Sequence, residues 1–195
     1  MEDKKISAQE SLQLIEGMIQ KAQNKFVENG TLYLLWGWVV LFCAITQYIL
    51  IIYTNYSKPE IVWSLTWLVV IFQIFYLSKQ EKNKTVKTYT DELIGYVWMV
   101  FGFTMLLVGF ILGKNNSWTS LYPIIIGLYG MPTFLSGAIM KFKPLKIGAI
   151  CCWFLAIFAV FVPLQYSLLL IAVAVIVAWI VLGYLLRKKF NQEKK

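Results

Sequence analysis

Six long apolar stretches, separated by short polar connections, dominate this chain. They cover residues 31–53, 61–77, 93–112, 121–140, 147–162 and 168–186, and none contains Asp, Glu, Lys, Arg or His. A bilayer core about 30 Å thick requires about 20 helical residues, because an α-helix rises about 1.5 Å per residue. The pattern therefore predicts an all-α polytopic membrane protein with a six-transmembrane-helix bundle over residues 31–186.

The first 30 residues are mostly polar, but apolar side chains recur along them at alternating spacings of four and three residues. These residues are Ala8, Leu12, Ile15, Ile19, Ala22 and Phe26. This spacing places them along one seam of a helix, so residues 1–30 are predicted to form a cytoplasmic amphipathic helix. Three settings suit the seam: the inner membrane surface, the inner loops of the same chain, or another helix.

The basic residues are strongly biased towards one side of the predicted spans. Sixteen of the 18 Lys and Arg lie in the two tails and in the connections 78–92 and 141–146. Lys and Arg accumulate on the cytoplasmic side of membrane proteins. We therefore expect a multi-pass protein of the cell (inner) membrane with a cytoplasmic N-terminus and a basic cytoplasmic tail over residues 187–195.

Composition supports the same class. Hydrophobic residues make up 59% of the chain and charged residues 14%, which leaves too little polar surface to cover a soluble domain. The net charge of +8 flanks the spans and does not form one basic face with interleaved aromatics, so no nucleic-acid partner is expected. Cys43, Cys151 and Cys152 all fall within spans, where packing is the expected role and a thiol sensor is the alternative.

The fourth stretch has the most irregular sequence near the middle of the membrane. Gly127, Gly130, Pro132 and Thr133 lie close together there, and Pro132 cannot donate a backbone hydrogen bond. Two interpretations follow. The kink lines a solute site, as broken helices do in transporters, or it is static and satisfied by Thr133, Ser136 or a neighbouring helix.

Gln47 and Gln73 are the two side-chain amides within the predicted spans. An unpaired amide in lipid is costly, so both are expected to face the bundle interior. Each other, Thr46, Thr66 and Thr104 are the candidate partners. Interhelical hydrogen bonding is the first interpretation, and a polar path through the membrane is the second.

The third stretch has glycines at every seventh position, Gly95, Gly102 and Gly109. A row of this kind makes a smooth groove that another helix can approach closely. The row is predicted to pack inside the bundle, with contact between two copies of the chain as the alternative.

The residue types that most catalysis requires are missing from the spans. The chain has no histidine, which excludes Ser-His and Cys-His nucleophile pairs and the usual catalytic zinc sites. No carboxylate lies within a predicted span, which excludes an intramembrane aspartyl pair. We therefore expect no catalytic residue, no metal and no cofactor.

Four segments are similar to a family of small uncharacterised bacterial multi-pass membrane proteins. They are residues 10–16 (ESLQLIE), 34–38 (LLWGW), 141–146 (KFKPLK) and 182–186 (LGYLL). The resemblance implies a six-span inner-membrane protein with no known activity, and it assigns no functional residue.

These observations lead to two hypotheses for the function. The first is a non-enzymatic scaffold, accessory subunit or sensor component that acts through helix association with a second copy or with a membrane or cytoplasmic protein. The alternative is a small transporter or channel for a neutral or apolar solute.

Overall fold

The computed structural model describes residues 30–54, 56–83, 89–115 and 117–193, and every regular element in these ranges is helical. The helices are α1 (Thr31–Tyr53), α2 (Leu65–Asn83), α3 (Tyr89–Lys114), α4 (Leu121–Ile139), α5 (Lys143–Ala159), α6 (Leu164–Val175) and α7 (Val181–Glu193). Two 3₁₀ turns, Pro59–Ser64 and Trp118–Ser120, lead directly into α2 and α4. One turn of π-helix, Ile176–Ile180, which we call the π turn, joins α6 to α7. The predicted all-α class is confirmed over these ranges, whereas the predicted amphipathic helix of residues 1–30 lies almost entirely outside them.

Five helical segments in the described ranges are long and apolar enough to cross a membrane. They are Thr31–Tyr53, Pro59–Gln80, Tyr89–Lys114, Trp118–Ile139 and Leu164–Gln192. Their length and composition are compatible with a multi-pass membrane protein. Helix α5, which contains most of the predicted stretch 147–162, has 17 residues and corresponds to about 25 Å of helix.

The core of the bundle consists of α1, α4, α5, α6, the π turn and the first part of α7, which pack closely together. The α4–α5 pair has the most extensive contact, and small residues permit it. A Cβ added at Gly137 would lie 2.6 Å from the Cβ of Leu145, and one added at Gly37 would lie 2.7 Å from Cγ1 of Ile180. Glycine at these two positions therefore brings α4 onto α5 and α1 onto the π turn.

The α4–α5 connection is a tight turn built on Lys141. The Phe142 N–H donates to the carbonyl of Gly137 at 2.9 Å, and the Lys141 N–H donates to that of Ala138 at 3.2 Å. Lys141 has a φ of 51°, in the left-handed region that glycine most often supplies at the end of a helix. The turn reverses the chain and leaves the Lys141 side chain exposed.

Helices α2 and α3 lie at the periphery. Helix α2 packs mainly on α1, and α3 packs mainly on α4. Their outer faces carry large apolar side chains, and Phe75 on α2 and Phe110 on α3 are 71% and 73% exposed. Lipid contact accounts for such apolar exposure in a membrane-spanning helix.

Candidate functional site

Gln47 and Gln73 join α1 to the segment that contains α2. The Nε1–H of Trp63, in the 3₁₀ turn Pro59–Ser64, donates to Oε1 of Gln47 at 2.6 Å. The Nε1–H of Trp36 on α1 donates to Oε1 of Gln73 on α2, also at 2.6 Å. The two pairs are 11 residues apart on α1 and 10 residues apart, in reverse order, on the second segment. They therefore fix the register of an antiparallel hairpin.

Gln47 has a second donor, because the hydroxyl of Tyr122 on α4 bonds to the same Oε1 at 2.7 Å. The expectation that the glutamines pair with each other or with threonines is wrong. Thr66 donates instead to the carbonyl of Trp63, and Thr104 donates within its own helix. Indole and phenol groups donate to the amide oxygens instead, because aromatic residues already line these helices.

The segment around Pro132 is a continuous part of α4, and its polar groups are mostly satisfied. The hydroxyl of Thr133 donates to the carbonyl of Tyr129 at 2.7 Å. That hydroxyl also accepts the Nε1–H of Trp179, in the π turn, at 3.3 Å. Pro132 and Thr133 are both fully buried. The hydroxyl of Thr133 thus joins α4 to a neighbouring helical segment at a buried position, which favours the static interpretation over a solute site.

The glycines of the same segment are in contact with α5. The Nε1–H of Trp153 donates to the carbonyl of Gly127 at 3.2 Å. The Trp153 indole also lies against Gly130 so closely that a Cβ at that position would collide with it. A Cβ added at Gly127 would be in ordinary contact, 3.6 Å from that of Ala156. The space beside Gly127 and Gly130 is thus filled by the side chain of Trp153 and is not open.

Ser136 is the unsatisfied member of this segment. Its side chain is completely buried in α4, and its hydroxyl oxygen has no hydrogen-bond partner within the described residues. The expectation that Ser136 helps to satisfy this segment is therefore wrong, whereas Thr133 bonds the carbonyl of Tyr129 and the indole of Trp179.

An aromatic cluster that includes Tyr129 joins four elements. Tyr129 and Trp179 have ring centroids 4.4 Å apart, Trp98 lies 6.2 Å from Trp179, and Tyr33 meets Trp98 edge-on at 5.4 Å. Phe101 completes it, 6.1 Å from Tyr129. The cluster connects α1, α3, α4 and the π turn, and no spacing in the sequence indicated it.

A groove of about 310 Å³ lies between α3 and α4 beside Pro132. Its walls are almost entirely apolar. It is lined by Leu93, Tyr96, Val97, Val100, Phe101, Thr104, Leu128, Met131, Pro132, Leu135 and Ile139. The two glutamines are not among these residues, so the structure does not bring the polar and kink candidates together into one polar site.

The glycine row on α3 does not pack inside the bundle. No heavy atom of the described residues outside the local backbone lies within 4 Å of a Cβ built on Gly95, Gly102 or Gly109. The prediction of intramolecular packing is wrong for this row, because α3 contacts the core through the adjacent face, where Ile94 is buried and Trp98 joins the aromatic cluster.

The remaining candidates add no reactive group. The thiol of Cys43 donates to the carbonyl of Val62 at 3.4 Å, and Cys151 and Cys152 are free thiols. No group of three His, Cys, Asp or Glu in the described part of the chain is arranged to hold a metal. The association seam Leu12, Ile15, Ile19, Ala22 and Phe26 lies outside the described residues.

Comparison with known proteins adds no family to this picture. No protein family, no curated protein and no solved structure matches the chain. The resemblance to small bacterial multi-pass membrane proteins therefore stays a prediction, and the functional argument depends on the geometry alone.

Proposed function

We propose that the chain is a non-enzymatic membrane protein that acts through helix association, as a scaffold, accessory subunit or sensor component. The observation that carries the proposal is the open glycine row on α3, Gly95, Gly102 and Gly109. Between membrane helices the hydrophobic effect supplies no driving force, so close packing at small residues is a main source of association. A row that the described helices of the chain leave open is available to another helix.

The surroundings of the row suit such a contact. Residues seven apart stay on one helix face, with a drift of about 20° per heptad. Met99, Leu106 and Phe110 are exposed on the same side of α3, next to the glycines. These large side chains form a ridge, and the glycines form a depression beside it. A second helix packs by fitting its own ridge into such a depression. A second copy of the chain is the partner that we would test first.

The proposed topology has six spans with both termini in the cytoplasm. Helix α5 is the short span, and Lys143 and Lys146 in its first turns can reach the interface while their stems lie along apolar surface. The basic turn at Lys141 then lies on the cytoplasmic side, as the distribution of Lys and Arg favours.

Transport of a neutral solute has less support. The Pro132 segment is buried, Gln47 and Gln73 already accept indole N–H groups, and the groove beside Pro132 is apolar. A transport path predicts that cysteines placed along α4, in a chain without the native thiols, react with a water-soluble reagent at mid-membrane. Protection of Thr133→Cys and Ser136→Cys, with reaction at the end of α4, would favour association.

The association proposal can be tested by co-purification of two differently tagged full-length copies from mixed membranes. Gly102→Ile should lower recovery of the second copy several-fold without lowering the thermal midpoint of the monomer, because the position is open in the described part of the chain. Val173→Ile, on the exposed face of α6, is the matched control. Equal recovery for wild type, Gly102→Ile and Val173→Ile would contradict contact through the row.

A further inference from the structure

The α3–α4 groove has the length of one membrane leaflet. It extends on α3 from Leu93 to Thr104 and on α4 from Ile139 to Leu128. Eleven residue steps on each helix correspond to about 16 Å, about half of a 30 Å hydrocarbon core. In the proposed topology, on which this inference rests, the end at Leu93 and Ile139 is the cytoplasmic one. The groove therefore reaches from the inner interface to the middle of the membrane.

The walls of the groove suit a hydrocarbon chain. Its floor includes the buried Leu128 and Pro132, while Val100 and Met131 on its rims are 64% and 54% exposed. The groove is thus open sideways, towards lipid, along its length. An apolar ligand that arrives from the bilayer can lie in it without crossing a polar barrier, and an acyl chain of the inner leaflet already lies parallel to it.

Charges of both signs lie close in sequence to the residues that line the cytoplasmic end of the groove. Lys141 is exposed two residues beyond Ile139. On the other wall, Glu92 immediately precedes Leu93, and its Oε1 accepts the hydroxyl of Tyr96 at 2.6 Å. Tyr96 also lines the groove, so this bond keeps the Glu92 carboxylate next to a lining residue. A headgroup that carries a phosphate and an ammonium group complements this pair of charges.

We propose that the α3–α4 groove binds one acyl chain of an inner-leaflet phospholipid whose headgroup contains both a phosphate and a primary ammonium. The phosphate faces Lys141, and the ammonium faces Glu92. The left-handed backbone of Lys141 supports a role for this side chain, because glycine would suit the turn better and would bring no cation. The glycine row of α3 lies on a different face of the helix, so lipid binding and helix association are separable.

The test uses the full chain in vesicles that contain a phospholipid with a diazirine on one acyl chain. Two probes are compared, phosphatidylethanolamine and phosphatidylglycerol with identical acyl chains. After irradiation, we expect adducts concentrated at Leu93–Thr104 and Leu128–Ile139, and about five-fold more with phosphatidylethanolamine, the factor expected for about one interfacial charge contact. Uniform labelling of all lipid-facing helices, or equal labelling by the two probes at the groove, would overturn the proposal.

Three variants and one control locate the contacts. Val100→Phe fills the groove and should remove most adducts, whereas Val173→Phe, at an exposed valine of α6, should leave them unchanged. Lys141→Gly relaxes the left-handed turn and should lower phosphatidylethanolamine labelling several-fold without lowering the thermal midpoint. Glu92→Gln keeps an acceptor for Tyr96 and should remove the preference between the probes. Unchanged labelling in Val100→Phe and Lys141→Gly would show ordinary lipid contact instead of a site. Such a result would leave the co-purification result for Gly102→Ile unaffected.

Discussion

The hydroxyl of Tyr122 on α4 donates a 2.7 Å hydrogen bond to Oε1 of Gln47 on α1, across 75 residues of sequence. The same oxygen accepts the indole N–H of Trp63, which precedes α2. One buried amide oxygen therefore joins three separate segments of the chain. Water does not replace such bonds inside a bilayer, so the loss of the acceptor leaves two donors without a partner.

We expect Gln47→Leu to lower the free energy of unfolding by about 1–3 kcal/mol, the usual cost of leaving buried donors unsatisfied. Reversible unfolding in mixed micelles, followed by the fluorescence of the tryptophans, measures this loss. Adding Tyr122→Phe to Gln47→Leu should recover part of it, because the second variant removes one of the two orphaned donors.

Gln73→Leu is the matched control. Gln73 has a single donor, Trp36, and both side chains are partly exposed at the edge of the bundle. The cost should stay below about 1 kcal/mol, within the range measured for single interhelical hydrogen bonds in membranes. Equal losses for the Gln47 and Gln73 variants would contradict the central role of Gln47.

Ser136→Ala should stabilise the protein or leave it unchanged. The Ser136 hydroxyl is buried without a partner in the described part of the chain, so its removal relieves a cost of about 1 kcal/mol. Thr133→Val, one turn away, keeps the volume but removes the acceptor of the Trp179 indole and should destabilise. Thermal midpoints in detergent compare the two variants, and a loss in Ser136→Ala would indicate a partner for this hydroxyl.

Alanine at two glycines should have opposite effects. Gly137→Ala places a Cβ 2.6 Å from the Cβ of Leu145 and 3.0 Å from the backbone nitrogen of Lys146, so α4 and α5 must separate. We expect a cost of about 1–3 kcal/mol, as for other overpacked contacts. Gly102→Ala meets open space and should gain up to about 1 kcal/mol from helix propensity. The same unfolding measurement tests both, and a loss in Gly102→Ala would show that the position is covered.

The class of the fold could be predicted from the sequence because long apolar segments without charged residues are compatible with few structures. The helix α1 (Thr31–Tyr53) has the bounds of the apolar stretch 31–53. The π turn Ile176–Ile180 could not be predicted, because its sequence contains neither proline nor glycine and resembles the flanking helix. Trp179 within this turn packs against Tyr129 of another helix, a contact that the local sequence does not reveal.

The candidate site also combines features that could be predicted from the sequence with features that could not. That Gln47 needs a partner follows from the cost of burying an amide, but the partner's identity depends on which helices are neighbours. A glycine row likewise indicates a smooth helix face without indicating what covers it. Gly95 and Gly102 form such a face, yet α3 meets the core through Trp98 on the adjacent face.

The length of α5 gives the sharpest test of topology. Its 17 residues correspond to about 25 Å, less than the hydrocarbon core of about 30 Å. It can still cross if Lys143 and Lys146 reach the cytoplasmic interface and the membrane thins slightly, at a modest cost per ångström of mismatch. Six spans then place Lys141 and Gln192 on the cytoplasmic side and Val162 on the outer side.

Single cysteines at these three positions, in a chain whose native thiols are replaced by alanine, decide between six crossings and five. In intact cells a membrane-impermeant thiol reagent should label Val162→Cys and should spare Lys141→Cys and Gln192→Cys. Permeabilised cells provide the control, because all three should then react. Labelling of Gln192→Cys from outside would mean that α5 does not cross, and it would reverse the orientation of the last span.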